Sequence, residues 1–170
     1  MPHAHCLFIL KTKLLSARHI DAVVWAEIPC PTKYPALHAI VVQRMIHDPC
    51  NTNADKPCLQ KVGSIGVCYR RFPKEFNSAT TIIGDGYPQY RRRGRFVAQR
   101  NGIQIDDSWV VPYNPHLLQQ FDCHINVEVG WKAHAPMHTP SDVNNMFLLT
   151  GSCSQTVFQI CLQVLFQSSR

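Results

Sequence analysis

A chain of 170 residues with 45% apolar content fits one globular domain of ordinary size. Its net charge of +6 is uneven: in the window 70–100 eight Lys or Arg stand against Glu75 and Asp85, so that window alone carries +6 and the rest is near neutral. No run approaches the roughly 18 apolar residues of a membrane span, and the apolar run 6–10, stopped by Lys11, is too short for a secretory leader. No Gly-Lys-Ser or Gly-Lys-Thr occurs, which excludes a P-loop and ATP binding.

The chain therefore reads as intracellular, and its eight cysteines as thiols or metal ligands rather than disulfides. A local basic block fits either a polyanion partner, nucleic acid first, or a solvated basic loop.

Taken in order, residues 3–11 alternate weakly and predict a buried strand. Residues 20–28, with Val23, Val24 and Trp25, predict a short strand or extended segment, which Pro29, Pro31 and Pro35 break. Leu37, Ile40, Val41, Arg44 and Met45 repeat at helical spacing, so a helix is expected from Pro35 to near His47, before Pro49. Residues 51–66 are polar and predict a loop region. Short strands are expected at 80–83, 89–92 and 95–100 around the turn Gly84-Asp85-Gly86. A strand at 108–111 is stopped by Pro112, residues 115–121 predict a helix, and 124–129 is a β-branched strand. After Gly130 the composition shifts: the last 40 residues carry only Lys132, Asp142 and Arg170 as charges and contain no tyrosine.

Three motifs carry chemistry. His3-Ala4-His5 on a strand puts two imidazoles on one face, where they can share a divalent cation; the alternative is a pair of surface histidines. His47, Cys50, Cys58 and Cys68 offer four soft ligands in a loop-rich stretch. The two-residue gap from His47 to Cys50 is that of a metal knuckle, whereas the later gaps are looser than a standard finger. A zinc ion would staple this loop; the alternative is buried free cysteines beside a helix-terminal histidine. Third, the block 85–93, Asp-Gly-Tyr-Pro-Gln-Tyr-Arg-Arg-Arg, suits single-stranded nucleic acid. Arg70, Arg71, Arg91, Arg92, Arg93 and Arg95 would meet phosphates, while Tyr87 and Tyr90 stack on bases; the alternative is an exposed hairpin whose tyrosines simply pack.

The order of these segments resembles the replication-initiator region of Helitron transposases, the Helitron helicase-like domain. The residues that carry the resemblance are PHAHCLFIL, ARHIDAVVWAEIPCP, MIHDPC, PCLQ, CYRRFPKEF, DGYPQYRRR, WVVPYNPHLL and CHINVEV, in one continuous order over roughly residues 1–129. The resemblance implies an HUH endonuclease of rolling-circle transposition, which works in the nucleus. In that chemistry His3 and His5 hold magnesium or manganese, the metal polarises a DNA phosphate, and a tyrosine attacks it. It also implies an α+β fold, an antiparallel sheet flanked by helices.

Two departures bear on activity. The chain starts inside the metal motif, so upstream strands of the family domain are expected to be missing. The family's nucleophilic tyrosines follow the HINVEV strand, whereas all five tyrosines here precede it. Tyr87 and Tyr90 match a different family motif. The expectation is a fragment truncated at both ends: 1–129 as a partial initiator domain, 130–170 as an unrelated tail, with binding to single-stranded DNA but no strand cleavage. Two rival readings are a zinc-stapled single-stranded nucleic-acid-binding module and a non-functional transposon remnant.

Overall fold

A computed structural model describes residues 3–9, 16–50, 56–62, 65–82, 88–130, 146–148 and 159–165. The class is α+β: among the described residues, three α-helices and several small sheets joined by long irregular stretches. Strand β1 (His3–Ile9) lies where residues 3–11 predict it. It pairs antiparallel with β10 (Gln159–Leu165) and parallel with β9 (Met146–Leu148). Strand β8 (His124–Gly130) completes the sheet on the far side of β10, giving the order β8-β10-β1-β9. Segments of the low-charge tail thus sit in the same sheet as the strands of the body.

The segment around Val23 departs from expectation. Residues Ala17–Val23 form helix α1, with Ser16 as N-cap, its hydroxyl accepting from the His19 amide at 3.3 Å. The β-branched run invites a strand reading, but Ile20 and Val24 lie four apart and both are buried, which is the helical spacing. Extended backbone begins only at Val24, and Trp25 then makes a bridge with Tyr113.

Helix α2 (Pro35–Arg44) opens on the expected proline, buries Leu37 and Val41, and stops at Arg44, three residues before His47. It stops there because the next residues pair elsewhere. Met45 O accepts from Val111 N, the His47 amide donates to Trp109 O (both 2.8 Å), and Ile46 bridges Val110. The segment predicted as a strand at 108–111 is therefore a single 3₁₀ turn, Asp107–Trp109, followed by this bridge. Asp106 caps the turn through the Ser108 amide, a local hydrogen bond that competes with strand pairing. Helix α3 (Pro115–Phe121) has the predicted bounds; Asn114 caps it, accepting from Leu117 N at 2.9 Å and donating to Val23 O at 2.8 Å.

Three hairpins fill the region between α2 and the 3₁₀ turn. Strands β2 (Leu59–Val62) and β3 (Ile65–Cys68) pair, with β2 and the start of β3 in the stretch 51–66 expected to be loop. Strands β4 (Thr81–Ile82) and β5 (Pro88–Gln89) pair across the predicted Gly-Asp-Gly turn, whose residues lie outside those described. The strand expected at 95–100 is shorter and pairs forward: β6 (Ala98–Arg100) joins β7 (Ile103–Ile105). Its turn is Asn101-Gly102, both at positive φ (50° and 76°), the geometry that Asn-Gly favours in a two-residue hairpin.

Two apolar clusters hold these pieces. One packs α2 and α3 residues (Leu37, Val41, Leu118) and the α2 cap Met45 against Ile28, Ile105, Val110 and Tyr113. The other packs α1 against alternate residues of β8, Ile125, Val127 and Val129, the period of two that a half-buried strand requires. His124 begins β8, its Nδ1 2.7 Å from Arg44 O. Burial pushes the His124 imidazole below its usual pKa, outweighing the help of that hydrogen bond. A folded-state pKa below the unfolded one means that the unfolded chain binds the proton more tightly. Stability should therefore be full above the unfolded value near 6.5 and decline as pH falls towards the lower folded value. Urea midpoints measured from neutral pH downward should show this decline, and His124→Gln should flatten it; an unchanged slope in the variant would assign the decline to other groups.

Candidate metal centre

His47, Cys50, Cys58 and Cys68 come from three elements, yet one ligand atom of each lies within 4.8 Å of the others. The long sequence gaps close because β2 and β3 form a hairpin. Cys58 immediately precedes β2 and Cys68 ends β3, with Leu59 opposite Cys68 in register. The Tyr69 amide donates to Cys58 O at 2.9 Å, fastening the base of the hairpin. His47 and Cys50 arrive from the other side, in the segment that leaves α2 after the Ile46–Val110 bridge. Cys50 and Cys68 are buried and Cys58 is half-buried.

One separation across the group fits a tetrahedral centre. Zinc–sulfur and zinc–nitrogen bonds near 2.3 and 2.05 Å at a tetrahedral angle put N and S about 3.6 Å apart. The His47 Nε2 to Cys68 Sγ separation is 3.5 Å. The imidazole plane is fixed by stacking: the Phe72 ring lies 4.3 Å away at 14° and Trp109 lies 6.5 Å away at 5°. Burial first, then the charge of Arg70, pushes the His47 pKa down, so the neutral, ligand-ready form prevails.

The thiols show what a bound cation would offset here. Burial and hydrogen bonding to the Cys58 and Cys68 sulfurs push the Cys50 pKa up to about 12. Cys68 moves the other way: burial opposes ionisation, but the Phe72 and Arg70 backbone N–H groups donate to its sulfur and bring its pKa down. Three thiols this close cannot all ionise without a compensating positive charge, and a bound divalent ion supplies it. Backbone N–H donors on a ligand sulfur are the outer support that metal–thiolate sites use. Among the described residues this is a group that can hold a metal ion.

The other predicted site residues are placed differently. Arg92 is interior, 3% exposed, and its Nη1 donates to the carbonyls of Ala26 (3.2 Å), Val110 (2.7 Å) and Asp107. Burial pushes its pKa down to about 10, against the pull of the Asp107 charge. Arg93 forks onto Glu27 (Nε–Oε1 2.6 Å, Nη2–Oε2 2.7 Å), and Arg91 bridges Glu27 and Asp21 at 3.2 and 3.0 Å. Burial alone would raise the Glu27 pKa, but hydrogen bonds from Arg93 and the charges of both arginines hold it below the usual range. The triple arginine is thus tied into the body through acids that sequence reading did not single out.

Tyr90 is half-buried, its hydroxyl accepting from Val129 N at 2.9 Å, and Tyr87 lies outside the described residues. Arg70, Arg71 and Arg95 are exposed. His3 and His5 stand two apart in β1, His3 opposite Leu165 and His5 opposite Gln163 and Met146. The backbone thus puts both on one face of an inner strand; their side chains lie outside what is described. No helix among the described residues is long and apolar enough to cross a membrane. In comparisons with known proteins, the chain matches no family model and no curated protein.

Proposed function

We propose that this chain is a zinc-stapled module that binds single-stranded nucleic acid without cutting it, a fragment of a rolling-circle transposon replicase of the Helitron type. The observation that carries the reading is the juxtaposition of the metal centre and an exposed cationic, aromatic strip. Tyr69, Arg70 and Arg71 follow directly after the ligand Cys68, so a metal that fixes Cys68 also fixes them. Tyr69 is 48% exposed, and the Arg70 guanidinium lies 5.3 Å from its ring centroid and donates through Nε to its hydroxyl at 3.0 Å. Phe76, 56% exposed, lies beside Gly94, next to Arg95. Cations beside exposed aromatic faces suit phosphates and unstacked bases.

Zinc fits the donor set best, since three sulfurs and one imidazole favour it over magnesium or calcium. By the same resemblance His3 and His5 would hold magnesium or manganese, and nuclear localisation goes with it.

Placing the contacts on this strip, rather than on the triple arginine, gives a test. Arg70→Gln with Arg71→Gln should weaken binding to labelled oligothymidylate and lower its salt slope by roughly two phosphate contacts. Arg91→Gln with Arg93→Gln should chiefly lower the melting temperature. Fluorescence anisotropy across a salt series reads both; an unchanged slope in the Arg70/Arg71 variant would remove the strip from the interface.

A further inference from the structure

On another part of the surface a cleft of about 290 Å³ opens between the segment after α1 and the segment before β6. Trp25 and Tyr34 meet edge to face, ring centroids 5.9 Å apart, and line it together with Phe96, while Lys33 and Arg95 line it with cations. Both cations are exposed, and the Lys33 ammonium lies 5.1 Å from the Tyr34 ring centroid. Deeper in, the cleft is lined by Glu27, Arg91 and Arg93, held by their mutual ion pairs.

We propose that this cleft receives one unstacked nucleobase of a bound single strand, with the flanking phosphates on Lys33 and Arg95. The proposal rests on the single-strand-binding reading above and deepens it. Its volume sits at the lower end of small-molecule sites, about 300 Å³, which suits one base and its sugar and excludes a paired duplex. Three aromatic side chains offer faces or edges to a flat ring, and base–aromatic contact tolerates any sequence. The Glu27–Arg93 fork offers fixed donors and acceptors, and the charges on either side of the base's position are of the sign that phosphates need. Arg95 belongs both to this cleft and to the neighbourhood of Phe76, so one strand running past Arg95 would join the two surfaces.

The test uses the full zinc-loaded chain and a labelled oligothymidylate. Tyr34→Ala should weaken binding roughly five- to hundredfold with the salt slope unchanged, because it removes a stacking face and no charge. Lys33→Gln should lower the slope by about one contact. On an oligonucleotide of abasic sites the gap between wild type and Tyr34→Ala should vanish. Cys30 lines the same cleft, so oligothymidylate should slow its alkylation by iodoacetamide, read by peptide mass mapping; that readout needs no variant to fold.

Equal affinity of Tyr34→Ala and wild type, with Cys30 alkylated at the same rate with and without DNA, would overturn the cleft assignment. The single-strand reading would survive that outcome if Arg70→Gln with Arg71→Gln still weakens binding. A wild-type protein that binds no oligothymidylate at all would remove both.

Discussion

Replacing Cys50 and Cys58 together by Ser is expected to abolish tight metal binding and with it the ordered β2–β3 hairpin. A hairpin of two strands is marginal in water by itself, and this one leaves Val67 46% exposed, so apolar burial contributes little there. In the proposed reading the metal bonds supply the deficit. Structural zinc in small domains contributes on the order of 10 kcal/mol of apparent binding free energy at neutral pH. That is comparable to the whole stability of an ordinary domain, roughly 5–15 kcal/mol. Chelation of the wild type should therefore lower the melting temperature sharply, and restored zinc should return it. Because the thiols must lose protons to bind and His47 must stay neutral, the metal should be held less tightly as pH falls from neutral, so less chelator should release it. Circular dichroism melts with and without chelator check this; melts that coincide would count against a structural metal.

Arg92→Ala is the second substitution of large expected effect. The guanidinium ties its own segment to two others, through the carbonyl of Ala26 on one and those of Asp107 and Val110 on the other. Asp107 reinforces the same junction, its carboxylate accepting from the amides of Ile28 and Gly94, each at 2.7 Å. Truncating Arg92 removes this donor from the carbonyls of Ala26 and Val110, while Asp107 O keeps the Val110 amide, and leaves the Asp107 charge without its neighbour. Removing one partner from a buried charged network costs about 3–5 kcal/mol, enough to leave a marginal domain largely unfolded. Denaturant unfolding should show that loss, whereas Arg95→Ala, an exposed neighbour in sequence, should change stability by less than about 0.5 kcal/mol.

These two expectations show where sequence reading reached and where it stopped. The four metal ligands were legible as a set because soft donors in a loop-rich stretch have few other uses, although the hairpin that closes the gaps was not. Its strands are four residues each, too short for periodicity to speak. Helix α3 and strand β8 were legible because Asn-Pro opens the one and β-branched alternation marks the other. Helix α1 was not, because Val23, Val24 and Trp25 mimic a strand while the Ser16 cap lies four residues ahead of Ile20.

The triple arginine teaches a different lesson. Composition counts charge but not where the partners are, and Glu27 and Asp107 lie 66 and 15 positions from the arginines they serve. Much of what resembles a family signature, the WVVPYNP and YRRR segments, builds this scaffold: Tyr113 is fully buried and donates to Glu27 O at 2.9 Å. The Trp25–Tyr34–Phe96 cleft likewise gave no local signal, since its walls come together only when the chain folds.

X-ray absorption at the zinc edge on purified protein tests whether one zinc, bound through three thiolates and an imidazole, holds this chain. About one zinc per chain is expected, with three sulfur neighbours near 2.3 Å and one nitrogen near 2.0 Å, and the nitrogen contribution lost in His47→Ala. A metal-free protein that melts cooperatively and ignores chelators, or a zinc surrounded only by oxygen and nitrogen, would contradict it.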